Sequence, residues 1–129
     1  MTETAFPSVS ADERRSLARM VMQAFENWGL ETDESLAMLG LGTEDAERLV
    51  SYRGGEPLAD DPEVLERAAH ILGIHKDLRL LLPHDRAEAY RWLKTPNRAF
   101  EYRTPVEVVT GEGLRGLGRV RGYLDRAVA

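Results

Sequence analysis

The 129-residue sequence contains no cysteine, so neither a disulfide nor a thiolate metal site is open to it. Histidine is scarce: His70, His75 and His84 are the three present. The first two are five residues apart and point to different sides of any helix they share, and no HExxH pattern occurs. Surface or half-buried histidine is the expectation, with no metal and no cofactor. No apolar run approaches the roughly 20 residues of a membrane-spanning helix. Met1 to Ser10 carries Glu3 and neither Lys nor Arg, which argues against a secretory leader and makes a cytoplasmic protein the expectation. Positive charge is in short supply overall: 17 Lys and Arg against 22 Asp and Glu give a net charge of −5. An acidic chain is a poor generic partner for nucleic acid, because affinity for phosphates comes from Lys and Arg.

An apolar content of 43% and a charged content of 30% describe an ordinary globular protein, one domain or two very small ones. Charge is unevenly spread. Residues 1–83 hold 8 basic and 16 acidic side chains; residues 84–129 hold 9 basic and 6 acidic. With Pro83, this divides the chain at 83/84, and residues 1–9 are expected to be flexible.

Nearly every segment has helical periodicity. Ser10-Ala-Asp-Glu13 has capping-box spacing, followed by an apolar stripe of Leu17, Met20, Val21, Ala24, Phe25 and Trp28, with Gly29 as a stop. Thr32 or Asp33 is placed to cap a short helix with Leu36, Ala37 and Leu39. Thr43 is placed to cap another, with Ala46, Leu49 and Val50 inward, ending at Gly54-Gly55. Asp61-Pro62 starts a helix with Val64, Leu65, Ala68, Ala69 and Leu72 inward, ended by Gly73. A short helix with Leu78, Leu81 and Leu82 runs to Pro83, and Asp85 to Leu93 forms the next. After Thr95-Pro96-Asn97 breaks the pattern, Thr104-Pro105 opens a short helix through Val109. A last helix runs from about Gly113 to Arg126 on Leu114, Leu117, Val120 and Leu124. No convincing strand is present, so the fold class is all-α.

Three constellations bear on function. Gly111-Glu-Gly113-Leu-Arg-Gly116 matches GxGxxG, but too few residues follow for the second strand of a dinucleotide-binding unit. No serine or cysteine has a suitable base, so the expectation is not an enzyme. Thr32 to Arg53 has helix-turn-helix spacing, used either as scaffold or for DNA. Glu44, Asp45 and Glu47 would repel phosphates at the start of its second helix, leaving Arg48, Ser51, Tyr52 and Arg53 as DNA-contact candidates. The third is Tyr90-Arg-Trp92-Leu93-Lys-Thr-Pro96-Asn97-Arg-Ala-Phe100, then Arg103-Thr104-Pro105, then Gly111-Glu-Gly113-Leu. Trp92, Leu93 and Phe100 suit core anchors, while Pro96, Asn97, Thr104 and Pro105 suit a rigid elbow that aims the terminal helix. That helix has one apolar face and one face of Arg115, Arg119, Arg121, Tyr123 and Arg126, which is either a contact surface or a solvated basic face.

Residues 85–126, in that order of motifs, resemble the C-terminal toxin-binding domain of the Xre/MbcA/ParS-type antitoxins. Trp28-Gly29-Leu30, the helix-turn-helix spacing and Leu72 to Pro83 resemble the family's Xre-like half, so the resemblance spans about residues 15–126. It implies a protein that neutralises a toxin from its own operon. Such toxins have an ADP-ribosyltransferase-like fold and use NAD: RES-domain toxins consume it, and others ADP-ribosylate a target. The terminal helix and chain end are expected to block the NAD cleft sterically. In that arrangement Glu112, Asp125 and the terminal carboxylate of Ala129 would address cationic groups in the cleft, while Arg115, Arg119, Arg121, Tyr123 and Arg126 engage its rim. The Xre half implies a homodimer and operator repression, against which the acidic helix start speaks. The other readings are a helix-turn-helix repressor without a toxin, a nucleotide-binding enzyme, and a scaffold.

Overall fold

Local signals at the helix ends account for much of the architecture. The structure, a computed structural model, describes residues 9–129, so the expectation for the first eight residues lies outside it. Six α-helices and three 3-10 turns follow one another, with no strand among the described residues. Helix α1 (Ala11–Asn27) starts at the Ser10 capping box: Ser10 Oγ accepts from the Glu13 amide at 3.1 Å, and Glu13 Oε1 accepts from the Ser10 amide at 3.0 Å. The Ser10 amide, donating to the Glu13 carboxyl, and then the nearby Ser10 hydroxyl hold that carboxyl below its ordinary pKa. Ala18, Val21, Met22, Ala24 and Phe25 are buried, with Trp28. Met20, expected in that stripe, is 48% exposed. It lies on the flank opposite Met22, just beyond the edge of the buried face.

Helix α2 (Thr32–Leu39) is capped by Glu31, not by Thr32 or Asp33: the Glu31 amide donates to Glu34 Oε1 at 2.8 Å. Thr43 does not cap either, because it sits inside a 3-10 turn, Thr43–Asp45, leading into α3 (Ala46–Arg53). Leu49 and Tyr52 form the buried side of α3, and Val50, expected inward, is 66% exposed. Helix α4 (Pro62–Leu81) begins at Asp61, whose Oδ1 accepts from the amides of Glu63 and Val64 at 2.8 and 3.3 Å.

α4 is one helix where the sequence suggested two, because Gly73 does not end it. The guanidinium of Arg121 lies where a Cβ at position 73 would be, 2.5 Å from Nε, so glycine there serves close approach of another helix. The inner face also differs from expectation. Ala68, Ile71, Ile74 and Leu78 are buried, whereas Ala69 is exposed and Val64, Leu65 and Leu72 are half-buried. Helix α5 (Arg86–Arg91) follows Asp85, and α6 (Pro105–Val128) closes the chain. At Gly113 α6 breaks (φ 65°, ψ −139°), so two helical arms meet where the sequence placed a helix start.

The core is continuous from Ala18 to Leu124, with α4 packed against α1, α2 and α6. One strap inside it gives no sequence signal. Arg67 has a side chain only 8% exposed, pairs with Glu63 at 3.0 Å, and donates to the carbonyls of Ala37 and Met38 at 3.3 and 3.4 Å. It thereby gives the Met38 carbonyl at the end of α2 a donor that the helix does not supply, and adds a second donor to the Ala37 carbonyl, which also accepts from the Gly40 amide at 3.2 Å. Arg67→Ala leaves the buried Met38 carbonyl without its donor. It is expected to lower stability by about 2 kcal/mol in chemical denaturation; an unchanged midpoint would refute the strap.

Candidate functional site

The C-terminal third is built around an elbow. Thr95 Oγ1 donates to the Arg91 carbonyl at 2.8 Å, and Pro96 follows with the chain extended. Asn97 Oδ1 accepts from the Ala99 amide at 2.8 Å and starts the 3-10 turn Arg98–Phe100. The Asn97 amide donates to the Arg103 carbonyl at 3.0 Å, closing the loop on itself. Thr104 then caps α6 through a capping box with Glu107, at 3.0 and 2.7 Å, with Pro105 at the first helical position. Leu93 and Phe100 are buried. Lys94 ties the elbow to the N-terminal half, 2.8 Å from the Gly29 carbonyl and 3.2 Å from Glu34.

The second arm of α6 lies against this elbow. The Tyr123 ring stacks on Trp92 at 6.1 Å and meets Phe100 edge-on at 5.4 Å. The Arg119 guanidinium lies 5.4 Å over Phe100. Glu112, beside the break, accepts from Arg103 at 3.0 Å and from Arg119 at 2.8 Å. These two arginines hold its carboxyl below the usual range. Gly116 lets the arms meet, since a Cβ there would lie 2.6 Å from the Val108 carbonyl oxygen. The GxGxxG match is thus the joint of a broken helix.

This arrangement divides the residues assigned to a contact surface. Glu112, Arg119, Arg121 and Tyr123 have partners within the chain: Arg121 donates to the Ala69 carbonyl at 3.4 Å and lies 3.6 Å from Asp125. Glu112 in particular is not left open to a cation from outside. Arg115, Asp125, Arg126 and Ala129 are exposed. Of the DNA-contact candidates on α3, Arg48, Ser51 and Arg53 are exposed. Tyr52 is 4% exposed, its ring packed into the core and withdrawn from any groove of DNA. Among the described residues no cluster of three or more His, Asp or Glu could hold a metal.

Two features escape sequence reasoning. A largely apolar groove of about 370 Å³ opens between the ends of α4 and α6, lined by Leu78, Leu82, Trp92, Tyr123, Leu124 and Ala127. Beneath the neighbouring face of α6 lies Asp77, 3% exposed, with Oδ2 lacking a hydrogen-bond partner. Burial and the facing Asp125 carboxyl push its pKa from 3.8 up to about 6, partly offset by Lys76 and Arg121.

The Antitoxin Xre/MbcA/ParS C-terminal toxin-binding domain matches residues 77–127 of this chain. Protein y4oB of Sinorhizobium fredii, itself uncharacterised, is 31% identical over 123 residues, which span 92% of this chain and 90% of that protein. The fold is similar to that of a chain in the crystal structure of the M. tuberculosis MbcT–MbcA toxin–antitoxin complex. The TM-score is 0.56 at 23% identity, covering 87% of this chain and 93% of the other.

The Asp77–Asp125 pair sets a pH dependence. Asp77 binds its proton more tightly folded than unfolded, so the folded state loses stability as pH rises from about 4 to about 6. Above that window the cost of an ionised, buried Asp77 is fully present. Asp77→Asn is therefore expected to raise the melting temperature at pH 7.5, with a smaller gain at pH 5. Equal gains at both values would contradict the assignment.

Proposed function

The chain belongs to the Xre/MbcA/ParS antitoxin family, and from that premise we propose that it is the non-catalytic inhibitor of a cognate cytoplasmic toxin of the RES or related ADP-ribosyltransferase-like class. Residues 84–129 form the toxin-binding module and residues 1–83 the Xre-like half. The observation that carries this reading is where the matched toxin-binding domain falls. Its span, 77–127, takes in the elbow and nearly all of both arms of α6, a surface held by hydrogen bonds, ion pairs and ring contacts within the chain. A preformed surface loses little entropy on docking, which favours tight inhibition without chemistry.

Inhibition is steric: the second arm of α6 and the chain end enter or seal the NAD-binding cleft. The groups that reach the toxin are those not engaged within the chain. Arg115 and Arg126 are exposed and carry no ion pair among the described residues, and the exposed Ala129 follows them. Arg119, Arg121 and Glu112 shape the surface from behind.

A second role rests on the N-terminal half. Helices α2 and α3 are joined by a short turn, with Arg48, Ser51 and Arg53 on the outer side of α3. A homodimer through this half could place two such helices on operator DNA and repress the operon. Glu44 and Glu47, exposed at the same end, weaken that surface for phosphates. Operator binding of this kind would show a steep loss of affinity with salt.

The inhibitor role is tested with the product of the adjacent reading frame, by following NAD consumption as the chain is titrated in. Wild type is expected to inhibit at near-equimolar concentration. Deleting residues 127–129, which removes no side chain from the core, together with Arg126→Glu, is expected to weaken inhibition about tenfold or more. Undiminished inhibition by that variant would remove the chain end from the interface.

A further inference from the structure

The elbow holds a feature the fold itself does not use. Glu101 (φ 55°, ψ 39°) and Tyr102 (φ 65°) are consecutive left-handed residues, and they are the only positive-φ residues other than glycine among those described. For a bulky L side chain this conformation is an outlier, whereas glycine adopts it freely. The loop around them is over-determined by its backbone. The amide of Tyr102 donates to the Asn97 carbonyl at 3.0 Å, that of Glu101 to Arg98 at 3.3 Å, and that of Arg103 to Phe100 at 3.1 Å.

Glu101 has a structural use, lying 3.2 Å from Arg103 and 3.9 Å from Arg119. Tyr102 has none. Its side chain is 69% exposed, its ring joins no aromatic pair, and its hydroxyl makes no hydrogen bond among the described residues. Glycine at 102 would give the same backbone without the strain. A strained position that carries a large, idle, solvent-facing aromatic is where backbone strain points to a role outside the fold. Tyrosine suits recognition of a partner, having a rigid ring with few rotors, an apolar body and a polar tip.

We propose that Tyr102, held out by the left-handed Glu101-Tyr102 turn, is the aromatic anchor by which this chain recognises its toxin. This rests on the reading under Proposed function, and Tyr102 lies within the matched toxin-binding domain. The receiving pocket has apolar walls and a hydrogen-bond acceptor for the phenol. Carboxylates rim it, facing the exposed Arg98 beside the turn and the basic C-terminal third.

The test compares the full-length wild type with Tyr102→Gly, Tyr102→Ala and Tyr102→Phe. Thermal melts of the free chains are read beside affinity for the adjacent-frame product in competition with tagged wild type. Tyr102→Gly is expected to melt a few degrees higher than wild type, because strain is relieved, yet to bind about thirtyfold more weakly. Tyr102→Phe is expected to stay within about tenfold of wild type, and Tyr102→Ala to match the weak binding of the glycine variant. Glycine and alanine variants that bind like wild type would overturn the proposal while leaving the antitoxin reading intact. A change in self-association, seen by sedimentation with toxin affinity unchanged, would overturn it in favour of a second copy as occupant. Failure of wild type itself to bind would sink the reading under Proposed function and this proposal with it.

Discussion

Glu112 stands one residue before the break in the terminal helix and receives Arg103 from the elbow and Arg119 from the arm beyond. That three-way ion pair links the elbow to both sides of the break, the joint on which the shape of the C-terminal third depends. Core packing of Val106, Val108 and Val109 on one arm and Leu117, Val120 and Leu124 on the other seats both arms, and the ion pairs tie them to the elbow across the glycine joint. In that arrangement Tyr123 lies on Trp92 and Phe100, and Arg121 comes to rest in the notch that Gly73 leaves in α4. An exposed ion pair contributes little. This one is networked and only partly exposed, and its worth lies in selecting one geometry.

The two halves are not simply strung together. Lys94 reaches back to the junction of α1 and α2, Arg121 crosses to α4, and Leu117, Val120 and Leu124 continue the core that Val21 and Ile71 begin. The basic excess of residues 84–129 is partly consumed inside the molecule, since Arg103, Arg119 and Arg121 all have internal partners. Arg86, Arg98, Arg115 and Arg126 remain exposed with no ion pair among the described residues.

Much of this was legible in the sequence where the determinant is local. The Ser10–Glu13 box and the Asp61-Pro62 and Thr104-Pro105 starts involve residues within three positions of each other, and the elbow is marked by its own prolines and Asn97. Errors cluster where the determinant is distant. Gly73 reads as a helix stop because nothing near it announces an arginine 48 positions on. Val50 and Met20 read as core because periodicity alone does not say where a buried face ends. Glu112 reads as a free carboxylate because its partners come from both sides of a turn. The left-handed turn at Glu101-Tyr102 carries no signal at all, since residue type there argues against that backbone.

The shape of the C-terminal third rests on an elbow and two arms of α6 that are set before any partner binds. Hydrogen exchange over residues 97–126 of the free chain tests this most directly, with the toxin complex as reference. Preformation predicts slow exchange in the free chain at the elbow amides of Ala99, Tyr102 and Arg103, little changed on binding. Rapid exchange there that becomes slow only in the complex would show a surface that folds on its target, and would contradict the claim.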